Sequence, residues 1–152
     1  MEKPQPLRCI LIHFQDGLAI LPDSTVVEVL PYAKPLFIEG APPWVMGAFL
    51  WKAVTIPLIS LERLVNRVNP GANLHTRIVV VNALGHDPKL RNFGFLGTEA
   101  PQLLDVYRED MKPHDNVEPV PGVLGRALFR GQEAVIPDMR AVESVLSRLV
   151  RI

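Results

Sequence analysis

An internal repeat constrains the fold of this chain more than any other feature of its sequence. Residues 43–53, Pro-Trp-Val-Met-Gly-Ala-Phe-Leu-Trp-Lys-Ala, align without a gap on residues 121–131, Pro-Gly-Val-Leu-Gly-Arg-Ala-Leu-Phe-Arg-Gly. An Ile-Pro pair follows each copy, and each copy then leads into a predicted helix with an acidic residue near its start, Glu62 or Glu143. Two copies of one supersecondary plan usually form two similar subdomains that pack together.

The repeat extends to the earlier part of each half, because residues 77–82 echo 8–13 and residues 103–106 echo 26–29. The Asn-Pro-Gly-Ala-Asn stretch that begins at Asn69 reads as a linker. The expected organisation is a tail at 1–7, a first β-barrel half at 8–68, a linker at 69–76, and a second half with a C-terminal helix at 77–152. The alternative is that two β-meanders share apolar patterning by chance.

The composition favours short strands, since 15 of 152 residues are proline and proline is confined to turns and strand ends. Asp16-Gly17 predicts a tight hairpin after a first strand. Ser60 is suited to cap a short helix over 61–68, and Asp138 a longer final helix. One face of the final helix is predicted to be apolar, with Met139, Val142, Val145, Leu146, Leu149 and Val150, and the other polar, with Arg140, Glu143, Ser147 and Arg148.

Charge and cysteine content exclude several classes of protein. Lys+Arg and Asp+Glu balance at 16 each, so no overall field favours nucleic acid or a membrane surface. Cys9 is the single cysteine, which excludes an intrachain disulfide. The first seven residues lack the apolar core of a signal peptide, and no stretch is long enough for a membrane span. The expected location is the cytoplasm, without direct membrane insertion.

The residues that could carry chemistry form no recognisable catalytic or metal-binding set. The four histidines, His13, His75, His86 and His114, have no partner at metal-ligand spacing. We expect Cys9 to be a buried, inert thiol, and Glu109 and Asp110 to lie in a solvated loop. No glycine-rich phosphate loop is present. The sequence therefore predicts no catalytic, cofactor or metal site.

The chain resembles the CheW-like domains of bacterial chemosensory systems. Residues 26–29 read Val-Val-Glu-Val, like a V-x-E-V strand of the family. The spacing from Gly47 through Pro57 to Leu61 fits a family segment of the form G-x-x-N-L-R-G-x-I-x-P-V-x-D-L. The resemblance runs from Arg8 to the end of the chain. It implies a mainly β fold of two intertwined, SH3-like, five-stranded β-barrel subdomains with a short mid-chain helix and a C-terminal helix.

Three departures from the family pattern point to a specialised member. Lys52 stands where the family usually has Arg, Ala53 where it has Gly, and Ser60 where it has Asp. Lysine lacks the paired contacts of a guanidinium, and alanine is poorly suited to a positive φ, so the hairpin at Lys52 and Ala53 could be rearranged. These features favour an auxiliary CheW-like protein of a type IV pilus (twitching) system over the main coupling protein.

The resemblance implies a non-catalytic adaptor that contacts the regulatory domain of a chemotaxis-type histidine kinase and the cytoplasmic tip of a chemoreceptor. By position, Val26, Glu28 and Lys52 match family contact residues. The duplication extends this inference to Asp105 and Arg130.

Trp44 is the better of the two tryptophans for a surface role, because its repeat counterpart is Gly122. Trp51 is matched by Phe129, which favours core packing for it. Two other functions stay open. One is an SH3-like peptide- or ligand-binding module unrelated to chemoreceptors, and the other is a small enzyme, which would need a deep pocket with converging polar groups.

Overall fold

The computed structural model of the chain describes residues 5–114 and 119–149, which form eleven β-strands and two α-helices. The strands are β1 (Leu7–Phe14), β2 (Gly17–Pro22), β3 (Val26–Pro31), β4 (Val45–Trp51), β5 (Val54–Ser60), β6 (Arg77–Asn82), β7 (Asn92–Gly97), β8 (Gln102–Val106), β9 (Met111–Pro113), β10 (Val123–Phe129) and β11 (Gln132–Pro137). The helices are α1 (Leu61–Leu64) and α2 (Met139–Leu149). The mainly β class predicted from the sequence is confirmed.

The strands form two curled sheets, one per subdomain. The strand order is β8-β1-β2-β11-β10-β9 in what we call the six-stranded lobe and β3-β6-β7-β5-β4 in the five-stranded lobe. The strands β1 and β2 occupy the same places in the six-stranded lobe as their repeat counterparts β6 and β7 occupy in the five-stranded lobe. The short strand β9 is the extra member, since Met111–Pro113 pairs with β10.

Each lobe combines strands from both halves of the sequence. The β1–β2 hairpin joins the second half through a parallel pairing of β2 with β11, and the β6–β7 hairpin joins the first half through a parallel pairing of β7 with β5. The boundaries expected at 8–68 and 77–152 thus separate two sequence repeats and not two sheets. This exchange makes the halves intertwined, as the resemblance implied.

Three clusters of buried apolar side chains follow from the alternation of strand side chains. Leu11 points into the six-stranded lobe, whereas its neighbour Ile12 points into a central core between the lobes. Val80 points into the five-stranded lobe, and Val79 into the central core. Both faces of β1 and β6 are therefore buried, which explains their continuous apolar runs. Leu146 of α2 completes the central core.

The β4–β5 and β10–β11 hairpins have the same turn. Lys52 and Ala53 have φ angles of 47° and 64°, and Arg130 and Gly131 have φ angles of 50° and 82°. Positive φ at both central residues is the type I′ geometry that suits the twist of a hairpin. The rearrangement considered for Ala53 is therefore not observed. Strand pairing on both sides of the turn holds the alanine in a backbone region that disfavours it.

The hairpin registers correct one detail of the sequence alignment. Ile56 pairs with Phe49 in the first hairpin, whereas Ile136 pairs with Gly125 in the second. The two Ile-Pro pairs are consequently displaced by two residues in the fold, and Ala134 is the structural counterpart of Ile56.

The turn between β1 and β2 lies one residue earlier than the Asp-Gly signal predicts. Asp16 has the positive φ, at 63°, and Gly17 is the first residue of β2. Glycine is needed at this position for space, because a Cβ atom there would lie 2.7 Å from a ring carbon of Phe14. It would also lie 3.3 Å from the backbone oxygen of Glu133.

The helix α1 is shorter than predicted. The Ser60 hydroxyl accepts a hydrogen bond from the Arg63 N–H at 3.2 Å, which confirms the N-cap. The helix ends at Leu64 instead of Val68, and Asn66 has a φ of 62°, which α-helical geometry does not permit.

The helix α2 begins as predicted, with the Asp138 carboxylate accepting from the Ala141 N–H at 3.1 Å. Val142 and Leu146 are fully buried, so the apolar face is confirmed for them. Val150, assigned to the same face, lies outside the described residues. Glu143 was assigned to the polar face but is only 3% exposed, because the β6–β7 loop covers it.

Two strands, β7 and β9, carried no clear signal in the sequence. β7 contains Gly94, and glycine is unfavourable in strands. A Cβ atom at Gly94 would lie 2.9 Å from Cγ2 of Ile78, so tight packing inside the five-stranded lobe requires glycine there. β9 is formed by three residues and depends on its pairing with β10.

Candidate partner-binding site

A hydrogen bond between Trp51 and Glu28 links the two ends of the five-stranded sheet. Glu28 lies on β3 and Trp51 on β4, the outermost strands in the strand order. The indole Nε1–H donates to the Glu28 carboxylate at 2.9 Å, in a half-buried position. The Trp51 ring also packs against the interior cluster of this lobe. The contact therefore brings the two edge strands together and closes the curled sheet.

Lys52 completes this arrangement from the hairpin turn. Its Nζ atom lies 4.9 Å from the centre of the Trp51 ring, within the range of a cation–π interaction. The lysine is exposed, as is the turn that carries it. The Trp51 indole thus contacts a negatively charged group, the Glu28 carboxylate, and a positively charged group, the Lys52 ammonium. We call the surface group of Glu28, Trp51 and Lys52 the edge cluster.

Val26 and Trp44 lie outside the edge cluster. Val26 begins β3, and Trp44 immediately precedes β4. Both are half-buried and pack against the central core, and the surface role of Trp44 stays a prediction. Trp51, which the repeat had assigned to core packing, is the tryptophan that contacts the predicted residues Glu28 and Lys52.

The six-stranded lobe carries a related group around Arg130. The Arg130 guanidinium lies 5.0 Å from the centre of the Phe129 ring, matching Lys52 on Trp51. Its Nε donates to the Asp110 carboxylate at 3.5 Å, and its backbone N–H donates to the Asp110 carbonyl at 3.2 Å. Asp105 is not part of this group, because its carboxylate accepts from Arg8 at 3.3 Å.

Sequence reasoning therefore missed Trp51 and Asp110 as neighbours of the predicted residues. The matched aromatic at Phe129 was a signal for an aromatic–cation pair in both turns. For Asp110 no signal was available, since its approach to Arg130 depends on the pairing of β9 with β10.

A groove borders the edge cluster. A cavity of about 310 Å³ lies between Trp51, the start of β5 and residues 88–92, which end the β6–β7 loop and begin β7. Lys89 and Arg91 supply positive charge to its wall. Two apolar side chains beside the turn, Leu50 and Val54, are 72% and 56% exposed. These two side chains add exposed apolar surface beside the groove.

Two buried carboxylates hold the lobes to the helices. Glu143 of α2 accepts from the Leu84 N–H at 2.8 and 3.0 Å. Burial raises the pKa of Glu143, although this hydrogen bond and His86 oppose the shift. Burial likewise raises the pKa of Glu62 on α1, against backbone hydrogen bonds at Glu62 and Gln15 and the charge of Arg67. Both carboxylates thus have structural roles at equivalent places.

The described residues contain no group of three or more His, Cys, Asp or Glu side chains arranged for a metal ion. Cys9 is 1% exposed, and its burial, with the charge of Asp23, raises the pKa of the thiol. A raised pKa disfavours the nucleophilic thiolate. His13 is hydrogen-bonded to Gln102 at 2.8 Å. Neither described helix has the length and apolar content required to cross a bilayer.

Comparisons with known proteins agree with this architecture. The crystal structure of the scaffolding protein TtCheW from Thermoanaerobacter tengcongensis is similar to the chain with a TM-score of 0.69 and 19% sequence identity, over 88% of this chain and 89% of that one. The likeness identifies the two lobes as SH3-like subdomains. A comparison with curated proteins gave no match. The family model of the CheW-like domain matches residues 8–145, so the chain belongs to the CheW-like domain family.

Proposed function

We propose that this CheW-like protein is a signalling adaptor that couples a chemoreceptor to a chemotaxis-type histidine kinase and performs no catalysis itself. The observation that carries the proposal is the edge cluster, in which Glu28, Trp51 and Lys52 meet on the surface beside a groove. Tryptophan is among the residue types most enriched at interaction hot spots, and charged groups at the rim of an interface favour the correct partner.

The second lobe supports a role in joining two partners. Arg130 on Phe129 repeats the cation–aromatic pair at the end of the six-stranded lobe. The two pairs differ in chemistry, because an arginine bound to Asp110 replaces a lysine, and Asp110 comes from the turn before β9 whereas Glu28 lies on β3. Two similar but non-identical surfaces suit an adaptor that binds two different proteins. We propose the kinase regulatory domain and the receptor tip as these partners.

The proposed setting is the cytoplasm, in a type IV pilus (twitching) system. The departures at Lys52, Ala53 and Ser60 from the family pattern favour an auxiliary adaptor. Deletion of the gene is expected to reduce twitching while swimming is retained. Loss of swimming with normal twitching would instead assign the protein to a flagellar system.

Charge reversal in the edge cluster tests the coupling role. We expect Lys52→Glu to weaken binding to one of the two partners by about tenfold or more, because it introduces a like charge beside Glu28 in a contact surface. Binding of the purified protein to a kinase regulatory domain and to a receptor-tip fragment would be measured by titration calorimetry. Arg130→Glu tests the other lobe in the same assay.

The matched control is Arg108→Glu, a charge reversal at an exposed arginine outside the edge cluster and the Arg130 group. Each variant is first compared with the wild type by thermal unfolding. No binding of the folded wild type to either fragment at high micromolar concentration would refute the coupling role. A fall in stability without a change in binding by the folded fraction would make Lys52 a structural residue.

A second candidate function is an SH3-like peptide-binding module unrelated to chemoreceptors. The groove between Trp51 and residues 88–92 favours it, since its volume is about 310 Å³ and its walls combine an aromatic ring with basic side chains. A peptide library displayed against the protein tests this function. Enrichment of one short motif that competes with neither the kinase nor the receptor fragment would support this function over the coupling role.

A further inference from the structure

The two helices carry the same pair of residues with the same spacing. Glu62 and Arg67 are five residues apart, as are Glu143 and Arg148. Both glutamates are buried and interact with a backbone group just after an equivalent strand, Gln15 after β1 and Leu84 after β6. Arg148 is therefore the counterpart of Arg67.

Around Arg67 the acceptors are supplied by the protein itself. Its guanidinium donates to the carbonyl oxygens of Gln15 and Asp16 at 3.5 and 3.2 Å. It also forms an ion pair with the carboxylate of Glu133 on β11. The same guanidinium lies 5.8 Å from the centre of the Phe14 ring. A carboxylate from a neighbouring strand thus completes the surroundings of this arginine.

Around Arg148 that carboxylate is missing. Glu133 pairs with Leu128 in the second hairpin, and Thr55 pairs with Leu50 in the first hairpin. Because Leu50 and Leu128 are equivalent in the repeat, Thr55 is the counterpart of Glu133. Threonine carries no charge, so the counterpart of Glu133 cannot form an ion pair. Neither Arg140 nor Arg148 has an ion-pair partner within residues 5–114 and 119–149.

Arg148 instead lines an open cleft of about 290 Å³ between α2 and the β6–β7 loop. The cleft is lined by His86, Asp87, Arg140, Glu143, Ser144, Ser147 and Arg148. Each of its two carboxylates accepts a backbone hydrogen bond, Glu143 from the Leu84 N–H and Asp87 from the Lys89 N–H at 2.9 Å, and Asp87 has a further interaction as well. The remaining polar groups are mostly donors, namely two guanidinium groups, two hydroxyls and an imidazole.

We propose that this cleft binds a carboxylate-bearing ligand. The carboxylate of the ligand would pair with Arg148 in the way that the Glu133 carboxylate pairs with Arg67. Arg140, Ser144, Ser147 and Arg148 follow the spacing of one helical stripe, so their donors converge on one side of α2. A guanidinium fork matches a carboxylate in a bidentate geometry. The site shares no residue with the edge cluster, although the β6–β7 loop lines both this cleft and the groove beside that cluster. The proposal does not depend on the proposed coupling role.

Nuclear magnetic resonance titration of the full chain tests the proposal with three probes: succinate, a capped tetraglutamate peptide and inorganic phosphate. We expect succinate or the peptide to shift the side-chain Nε resonances of Arg140 and Arg148 saturably. Tighter binding of the peptide would support an acidic protein segment as the source of the carboxylate. Equal or tighter binding of succinate would support a small molecule.

Arg148→Gln is expected to weaken carboxylate binding about tenfold or more, because it removes the paired, charge-assisted hydrogen bonds of the guanidinium. Arg108→Gln is the matched control, because it removes an exposed arginine outside the cleft. Absence of saturable shifts at high millimolar concentration of all three probes would overturn the proposal. Tighter binding of phosphate than of either carboxylate would overturn the assigned ligand class. If Arg148→Gln and Arg108→Gln weakened binding equally, the binding would be general charge attraction and the cleft would not be a specific site.

Discussion

The hydrogen bond between Glu28 and Trp51 is expected to contribute measurably to the closure of the five-stranded lobe. Trp51→Phe removes the indole N–H but keeps a ring, as at Phe129 in the other repeat, and Glu28→Ala removes the acceptor. A buried hydrogen bond to a charged group contributes about 1.5–3 kcal/mol to stability. Because this one is half-buried and its partners remain accessible to water after either substitution, we expect about 1 kcal/mol.

A double-mutant cycle isolates this value from the other effects of each substitution. The free energy of unfolding of the wild type, both single variants and the double variant is measured by urea denaturation. The coupling energy of Trp51→Phe with Asp105→Ala is the control, since Asp105 lies in the other lobe and binds Arg8. A coupling energy between Glu28 and Trp51 below about 0.3 kcal/mol, the scatter expected of independent sites, would refute the closing role of this bond.

Three further predictions test the fold. Burial raises the pKa of Glu62 and Glu143, so the folded state disfavours their ionised forms. Ionisation of these two carboxyl groups therefore lowers the stability of the folded state. This loss is absent below the pKa that the groups have in the unfolded chain, and it develops as pH rises through their pKa in the folded state. The wild type should therefore gain stability relative to the Glu62→Gln/Glu143→Gln variant when urea denaturation is moved from pH 7 to acid. The control is Glu39→Gln, at an exposed position, for which the stability difference from the wild type should not change with pH. The opposite slope for the double variant would contradict the cause assigned to the shifts. Ala53→Gly should stabilise the folded protein by roughly 0.5 kcal/mol. It relieves about 1–2 kcal/mol of left-handed backbone strain, whereas the greater chain entropy of glycine in the unfolded state costs about 0.5–1 kcal/mol. A lower midpoint of thermal unfolding would argue against strain at this turn. Gly17→Ala should destabilise by about 1–3 kcal/mol by overpacking against the Phe14 ring, as measured by urea denaturation, and an unchanged midpoint would mean that the ring moves aside at no cost.

The sequence by itself determined the duplication and much of the local structure. Apolar runs with β-branched residues predicted β1 and β6, and the Ser60 and Asp138 caps predicted where the helices begin. The gap-free repeat predicted two hairpins of one kind, which have the same type I′ turn. These features depend on residues close together in the chain, so they can be predicted from the local sequence.

Only the tertiary structure decided which strands share a sheet and which side chains share a site. The exchange of hairpins between the halves depends on parallel pairings between distant strands, for which no local pattern exists. The same exchange buries Glu143 beneath the β6–β7 loop, although its helical position suggested solvent. Trp51 joins Glu28 because the sheet curls until its edge strands meet. Burial and side-chain contact are properties of this long-range packing, which a repeat can suggest but cannot specify.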